Sequence, residues 1–270
     1  MTHVQTPEGP GGSRLEAVLA MLRAMRLRGM AEDLPGLLEE GVTQGWSQID
    51  LLWELAHREQ TRKRQRRYQR DLKASQLSEC YGLEHYNFEL GREHGIEPSL
   101  VRDLCQCEFI RGRRNLIFAG GVGTGKTFLA RTVGMEALKR GYRVYSFYTA
   151  DLLELFHKKR NSFHFGRVYA RIRDVELLVL DDLAYLPYAP EKVEYLFTLI
   201  VDRHELRSGS TIVTSNTDVT DWWQFFPSKA MGMAFSDRLL EGAQGIRFSG
   251  ESIRAPRGRR PDPPPQPSTN

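Results

Sequence analysis

The eight residues Gly120-Gly121-Val122-Gly123-Thr124-Gly125-Lys126-Thr127 constrain this chain more than any other stretch. They follow Asn115-Leu116-Ile117-Phe118-Ala119, a short apolar run that reads as a buried strand. They precede Phe128 to Met135, where apolar residues recur at helical spacing. Strand, glycine loop and helix together satisfy G-x-x-x-x-G-K-[ST], in which glycines let backbone N–H groups turn inward on a phosphate and the helix N-terminus adds its positive dipole end. Residues Gly120 to Phe128 are therefore expected to cradle a nucleotide. Lys126 would reach the β- and γ-phosphates of ATP, and the Thr127 hydroxyl would bind Mg²⁺. A loop of this kind belongs to an α/β fold with a parallel sheet, so further strands are expected downstream.

Reading on, Gly141 closes the loop helix, and Arg143 to Tyr148 reads as a second strand. Glu176-Leu177-Leu178-Val179-Leu180-Asp181-Asp182 is a continuous apolar strand ending in two acids. Strand carboxyl ends face the ligand crevice in open parallel sheets, which brings both acids beside the loop. Asp181 is expected to hold Mg²⁺ and Asp182 to orient the attacking water. A helix over 190–206 leads to Ser210 to Asn216, another β-branched strand, with Asn216 placed as a γ-phosphate sensor.

The rest of the chain sorts by composition. With 270 residues and 40% apolar content, one full core and a small additional domain can be buried. No run approaches the ~18 consecutive apolar residues of a membrane span, and 1–12 lacks the apolar core of a signal peptide, so a cytoplasmic protein without membrane partners is expected. Three cysteines, Cys80, Cys105 and Cys107, have no zinc-like spacing and read as reduced thiols.

Residues 1–12 and the Pro- and Arg-rich 255–270 are expected to be disordered. Residues 13–74 read as a helical domain and 75–254 as the nucleotide-binding domain. In the helical domain Leu15, Val18, Leu19, Leu22, Met25 and Met30 mark an amphipathic helix that Gly29 weakens or ends, and Ser47 with Asp50 starts another. Leu83 to Phe88 reads as an extended aromatic segment in which Tyr86 and Phe88 either line an adenine site or pack a linker.

Net charge is only +4, but two basic clusters stand out. Residues 58–73 carry eight basic against two acidic side chains, among them Arg62, Lys63, Arg66, Arg67 and Arg70. The second, Ala150 to Asp174, is a helical pattern interrupted around Gly166 that carries Lys158, Lys159, Arg160, Arg167 and Arg171. Each reads either as a solvated helical face or as a DNA phosphate contact. Trp222, Trp223, Phe225 and Phe226 are expected to pack.

The order of these features resembles the AAA+ ATPases of the DnaA and DnaC clade, and more closely the IstB-like helpers of insertion-sequence transposases. Leu22 to Ala31, Leu183-Ala184-Tyr185-Leu186-Pro187, and Trp223 to Phe226 ahead of Asp237-Arg238-Leu239 carry the closer match. The resemblance implies an ATPase that forms homo-oligomers on double-stranded DNA, largely without sequence preference, and that recruits and regulates a transposase. It implies that Arg238 acts in trans as an arginine finger, and that Arg254 contacts the γ-phosphate in cis. It also implies that the basic insertion before Asp181 touches DNA. Asp182 stands where many relatives carry Glu, which implies slow unstimulated hydrolysis. A DnaC-type helicase loader shares the whole ATPase core and is the alternative; a monomeric P-loop kinase would leave Arg238 and both clusters without a role.

Overall fold

The computed structural model describes residues 13–183, 189–250 and 252. The chain divides into two compact units, one through Arg70 and one from Asp71 onward.

The first unit is helical: α1 (Arg14–Ala24), α2 (Arg28–Gln44) and most of α3 (Gln48–Ser75). Ser13 and Glu16 form a reciprocal capping box at the start of α1. Ser47 and Asp50 cap α3 in the same way. The helix break expected at Gly29 lies three residues earlier, where Arg26 takes a left-handed backbone with φ 61°. The following helix α2 runs through both Gly29 and Pro35. Gly29 serves a different purpose: a Cβ there would collide with the Glu59 carboxylate, which accepts from Met30 N at 3.0 Å. Leu34, Leu37 and Leu55 form the small core, with Leu15, Leu19, Leu22, Trp46 and Leu51 packed against it.

In the second unit the chain does not run extended from Leu83 to Phe88. Short 3₁₀ turns at Glu79–Tyr81 and Leu83–His85 lead into α4 (Phe88–Glu93), capped by Asn87. The physical reason is ring packing. Tyr81 and Tyr86 both lie against Phe128, with centroids 5.3 and 6.1 Å away, and an alternating strand could not turn both rings to one side. Then come α5 (Pro98–Cys105), α6 (Glu108–Arg111), β1 (Leu116–Gly120), α7 (Lys126–Lys139) and β2 (Val144–Tyr148). These are followed by α8 (Thr149–Lys159), α9 (Phe165–Arg173), β3 (Leu177–Leu183) and α10 (Pro190–Glu205). The last elements are β4 (Ser210–Ser215), α11 (Lys229–Leu240) and β5 (Gln244–Phe248). The interruption expected around Gly166 falls at 160–164, and Gly166 lies in the first turn of α9.

All strand pairs are parallel, in the order β2-β3-β4-β1-β5. Strand periodicity assigns the faces. Val179 lies near Gly134 of α7, whereas Leu178 and Leu180 join a cluster with Leu152, Phe156, Val193 and Leu196 on α8 and α10. Positions 177, 179 and 181 thus share the α7 face, which turns Asp181 toward the start of that helix. Helices cover both faces, so the strands can be continuously apolar. Of the aromatics expected to pack, Trp222 is fully buried and donates from Nε1 to Ser215 Oγ at 3.0 Å, and Phe226 is buried against Phe235, whereas Trp223 is exposed with Lys229 over its ring. No described helix is long and apolar enough to cross a membrane.

Burial pushes the Cys105 thiol up to about 12 and the Cys107 thiol up to about 11, while Cys80 is exposed. A raised pKa holds both buried thiols protonated and unreactive through pH 8. Iodoacetamide at pH 8 should alkylate Cys80 alone in the native protein and all three cysteines in guanidinium, as read by intact mass.

Candidate nucleotide site

The loop between β1 and α7 is shaped by glycines at two positions that admit nothing else. Gly123 has φ 77° and lies against Ser252, whose side chain a Cβ would strike. Gly120 lies against the Phe248 carbonyl of β5 with the same consequence. Gly125, with φ 89°, is the residue from which α7 starts. Lys126 opens the helix and is only 4% exposed; its Nζ donates to the carbonyls of Gly120 at 2.9 Å and Gly121 at 2.6 Å. The ammonium is thus held over the loop by the strand it follows.

Asp181 is completely buried at the carboxyl end of β3. Its Oδ1 accepts from Thr127 Oγ1 at 2.8 Å and from Thr214 Oγ1 at 2.6 Å, and its Oδ2 accepts from Arg131 Nη2 at 3.1 Å. Its backbone carbonyl accepts from Thr149 Oγ1 at 2.9 Å. Sequence reasoning missed Arg131 and Thr214. The signal for the first is that Thr127 and Arg131 stand four residues apart on one helical face; for the second, that Thr214 is the last residue but one of β4, the strand beside β3. Arg131 also lies over the Tyr148 and Tyr81 rings, 4.7 and 5.2 Å from their centroids. Burial works against its charge and Asp181 works for it, with a net shift upward.

Asp182 follows with φ 53° at an irregularity in the β3–β4 pairing, and its N–H donates to Thr214 Oγ1 at 2.9 Å. That left-handed turn takes Asp182 out of strand alternation. Asn216 Nδ2 reaches Asp182 Oδ1 at a long 3.5 Å. Both residues line one cavity of about 370 Å³ together with the loop, Tyr81, Arg131 and Tyr148. A second hollow of about 150 Å³ adjoins the loop at Thr124, Gly125 and Phe128 and is lined by Tyr86 and His94. Burial pushes the Tyr86 hydroxyl up to about 12. Phe88 packs edge-on to Tyr86, with the Arg102 guanidinium over its ring, and does not line the hollow.

The structure does not bring Arg238 to this cavity. It sits in the last turn of α11, donates to the Ala234 carbonyl at 2.9 Å, and lines a separate cavity with Asn115 and Gly209, which precede β1 and β4. Arg254 lies outside the described residues. Of the basic candidates, Arg62 donates to Gly29 O at 3.0 Å and Asp33 Oδ1 at 2.7 Å, and Lys63 pairs with Glu59 at 3.3 Å, so both are engaged inside the first unit. Arg66, Arg67 and Arg70 on α3 are exposed, as are Lys158, Lys159, Arg160, Arg167 and Arg171 around the α8–α9 turn.

Comparisons with known proteins bear on the family and the fold. The family described as IstB-like ATP binding protein matches residues 20–260. An IS21-like insertion-sequence ATP-binding protein of Bacteroides fragilis is 32% identical over 86% of this chain and 87% of its own length. The IS21 ATP-binding protein of Pseudomonas aeruginosa is 28% identical, with 87% of each chain covered. Among solved structures, DnaA of Aquifex aeolicus with AMPPCP bound has a TM-score of 0.51 at 22% identity, covering 64% of this chain and 51% of its own. The DnaC helicase loader has a TM-score of 0.50 at 21% identity, covering 64% of this chain and all of its own. At these identities the two structures speak for the fold alone.

Removing Arg131 leaves a buried carboxylate without its cation. Arg131→Met should therefore cost about 3 kcal/mol in urea unfolding. In an Asp181→Asn background the same substitution should cost less than half of that; equal costs in both backgrounds would show that the pair is not coupled.

Proposed function

The chain belongs to the IstB-like ATP-binding family of insertion-sequence proteins, and from that premise we propose that it is a Mg²⁺-dependent ATPase. On this reading it oligomerises on duplex DNA and, once assembled, recruits and regulates a transposase. The observation that carries the reading is the distance in the fold between Arg238 and the phosphate loop of the same chain: one borders the amino ends of the strands, the other their carboxyl ends. A nucleotide that meets both groups meets them from two copies, which makes ATP a ligand of the contact between subunits.

In the proposed mechanism the loop amides and Lys126 hold the β- and γ-phosphates. Tyr86 and Phe128 border the hollow that takes the adenine. Thr127 and Asp181 would hold Mg²⁺, which would neutralise charge on the phosphates. One carboxylate and one hydroxyl suit this ion, which keeps water and phosphate for most of its coordination. Asp182 and Asn216 orient the attacking water, and the short Asp182 side chain keeps unstimulated turnover slow. Arg238 of one subunit stabilises charge developing on the nucleotide of the next.

The exposed cations of the α8–α9 turn, with Arg66, Arg67 and Arg70 on α3, supply the DNA contact, and Arg62 and Lys63 contribute through the fold of the first unit. Phosphate contact releases counterions, so affinity for duplex should fall by about 100-fold or more from 50 to 200 mM salt. An affinity unchanged over that range would remove DNA from the reading. Lys126→Ala should lose nucleotide binding and nucleotide-dependent assembly together. Arg238→Ala should still bind ATP while hydrolysis drops by about 10³-fold. Wild-type turnover in Arg238→Ala would end the assignment of a shared site.

A further inference from the structure

The turn between α8 and α9 carries, besides its cations, two phenylalanines two residues apart with opposite environments. Phe165 is the inner one: its ring centroid lies 6.0 Å from that of Phe156, 6.0 Å from Tyr169 and 5.8 Å from Tyr195, which fastens the turn to the core. Phe163 is the outer one, 97% exposed, with the His164 ring edge-on at 5.4 Å. Hydrogen bonds close the backbone around them, from Ser162 N to Lys159 O at 2.8 Å, from Phe165 N to Ser162 O at 2.9 Å and from His164 N to Ser162 Oγ at 3.2 Å. The projecting ring therefore stands on a braced turn.

The surroundings of Phe163 are of one sign. From His157 to Arg173 the sequence holds six Lys or Arg side chains and no acid. Lys158, Lys159, Arg160, Arg167 and Arg171 among them are exposed. Helix α9 starts inside this field with no side-chain cap and no acid in its first turn. An apolar protein groove has no use for so much charge, and a bare phosphate backbone has none for an apolar ring. A base stack between two phosphate strands offers both chemistries, a π-face for the ring and phosphates for the cations. On α3, by contrast, residues 58–73 hold no exposed large apolar side chain beside Arg66, Arg67 and Arg70, which fits phosphate contact alone.

We propose that Phe163 is a base-contacting wedge: the cations of the turn hold the phosphate strands while the ring enters a weakened step of the base stack. The inference rests on the proposed duplex binding and adds the class of duplex preferred, one with a mismatched or otherwise easily opened step. Opening a step opposes binding, and the opposition is smallest where pairing is already lost. The ring therefore contributes most on a flawed duplex. Charge and ring act separately, because counterion release sets the dependence of affinity on salt and an uncharged ring releases no counterion.

The test compares the full-length parent, Phe163→Ala and Phe163→Trp, each with a non-hydrolysable ATP analogue. Binding is read by fluorescence anisotropy on labelled duplexes of one sequence, fully paired or with a single central mismatch, and on the matching single strand. The parent should bind the mismatched duplex about tenfold more tightly than the paired one. Phe163→Ala should lose about tenfold on the mismatched duplex, bind both duplexes within about twofold of each other, and keep the parent's salt slope. Phe163→Trp, which offers a larger ring, should restore the preference. With a side chain this exposed, the thermal midpoints of all three proteins should coincide. A parent without the mismatch preference overturns the proposal, as does a Phe163→Ala protein that retains it. So does a loss of affinity with a shallower salt slope, which would make Phe163 a support for the cations. Tighter binding of the single strand than of the mismatched duplex also overturns it, because the ring would then serve unpaired strands. A parent that binds no duplex at low salt removes the proposed DNA contact itself, and this inference with it.

Discussion

The buried carboxylate of Asp181 is the interaction on which the site depends. A carboxylate without solvent is tolerated only when its lone pairs are filled, and here α7 supplies Thr127 and Arg131 while β4 supplies Thr214. Those bonds join β3, β4 and the loop helix at one point, so the position of the phosphate loop is set by the sheet core as well as by its glycines. In the proposed mechanism the same charge would serve Mg²⁺. Arg131, held between Tyr81 and Tyr148, is the cation that keeps Asp181 satisfied otherwise.

A parallel sheet separates the two kinds of charge in this unit. Carboxyl strand ends carry the loop, Asp181, Asp182 and Asn216. Amino strand ends carry Arg113, Arg114, Arg207 and Arg238. Strand direction forbids the two sets from meeting within one molecule. In the proposed function Arg238 at one edge and the phosphate loop at the other serve one nucleotide from two copies.

Much of this was legible from residue pattern. The loop, the apolar strand ending in Asp181 and Asp182, and the strand before Asn216 each carry a period or a motif set by local chemistry, and their parallel sheet followed from them. What escaped depended on distant partners. Gln244 to Phe248 alternates too weakly to announce β5, which exists because β1 offers it an edge. Gly29 looked like a helix stop because nothing local reveals that Glu59 approaches it from thirty residues away. Arg62 read as a surface cation because its bonds to Gly29 and Asp33 cross between helices. Arg131 looked like an ordinary helical arginine until the fold placed it beside Asp181.

The central claim is that each nucleotide is served by two chains, and mixing two inactive proteins tests it most directly. Lys126→Ala contributes an intact Arg238 edge without a working loop, and Arg238→Ala contributes an intact loop without its finger. If the account is right, steady-state ATP hydrolysis, nearly absent in either protein alone, reappears when the two are combined and grows with total concentration. Hydrolysis that stays absent at every ratio, while each variant is folded and the two co-sediment with nucleotide, would contradict it.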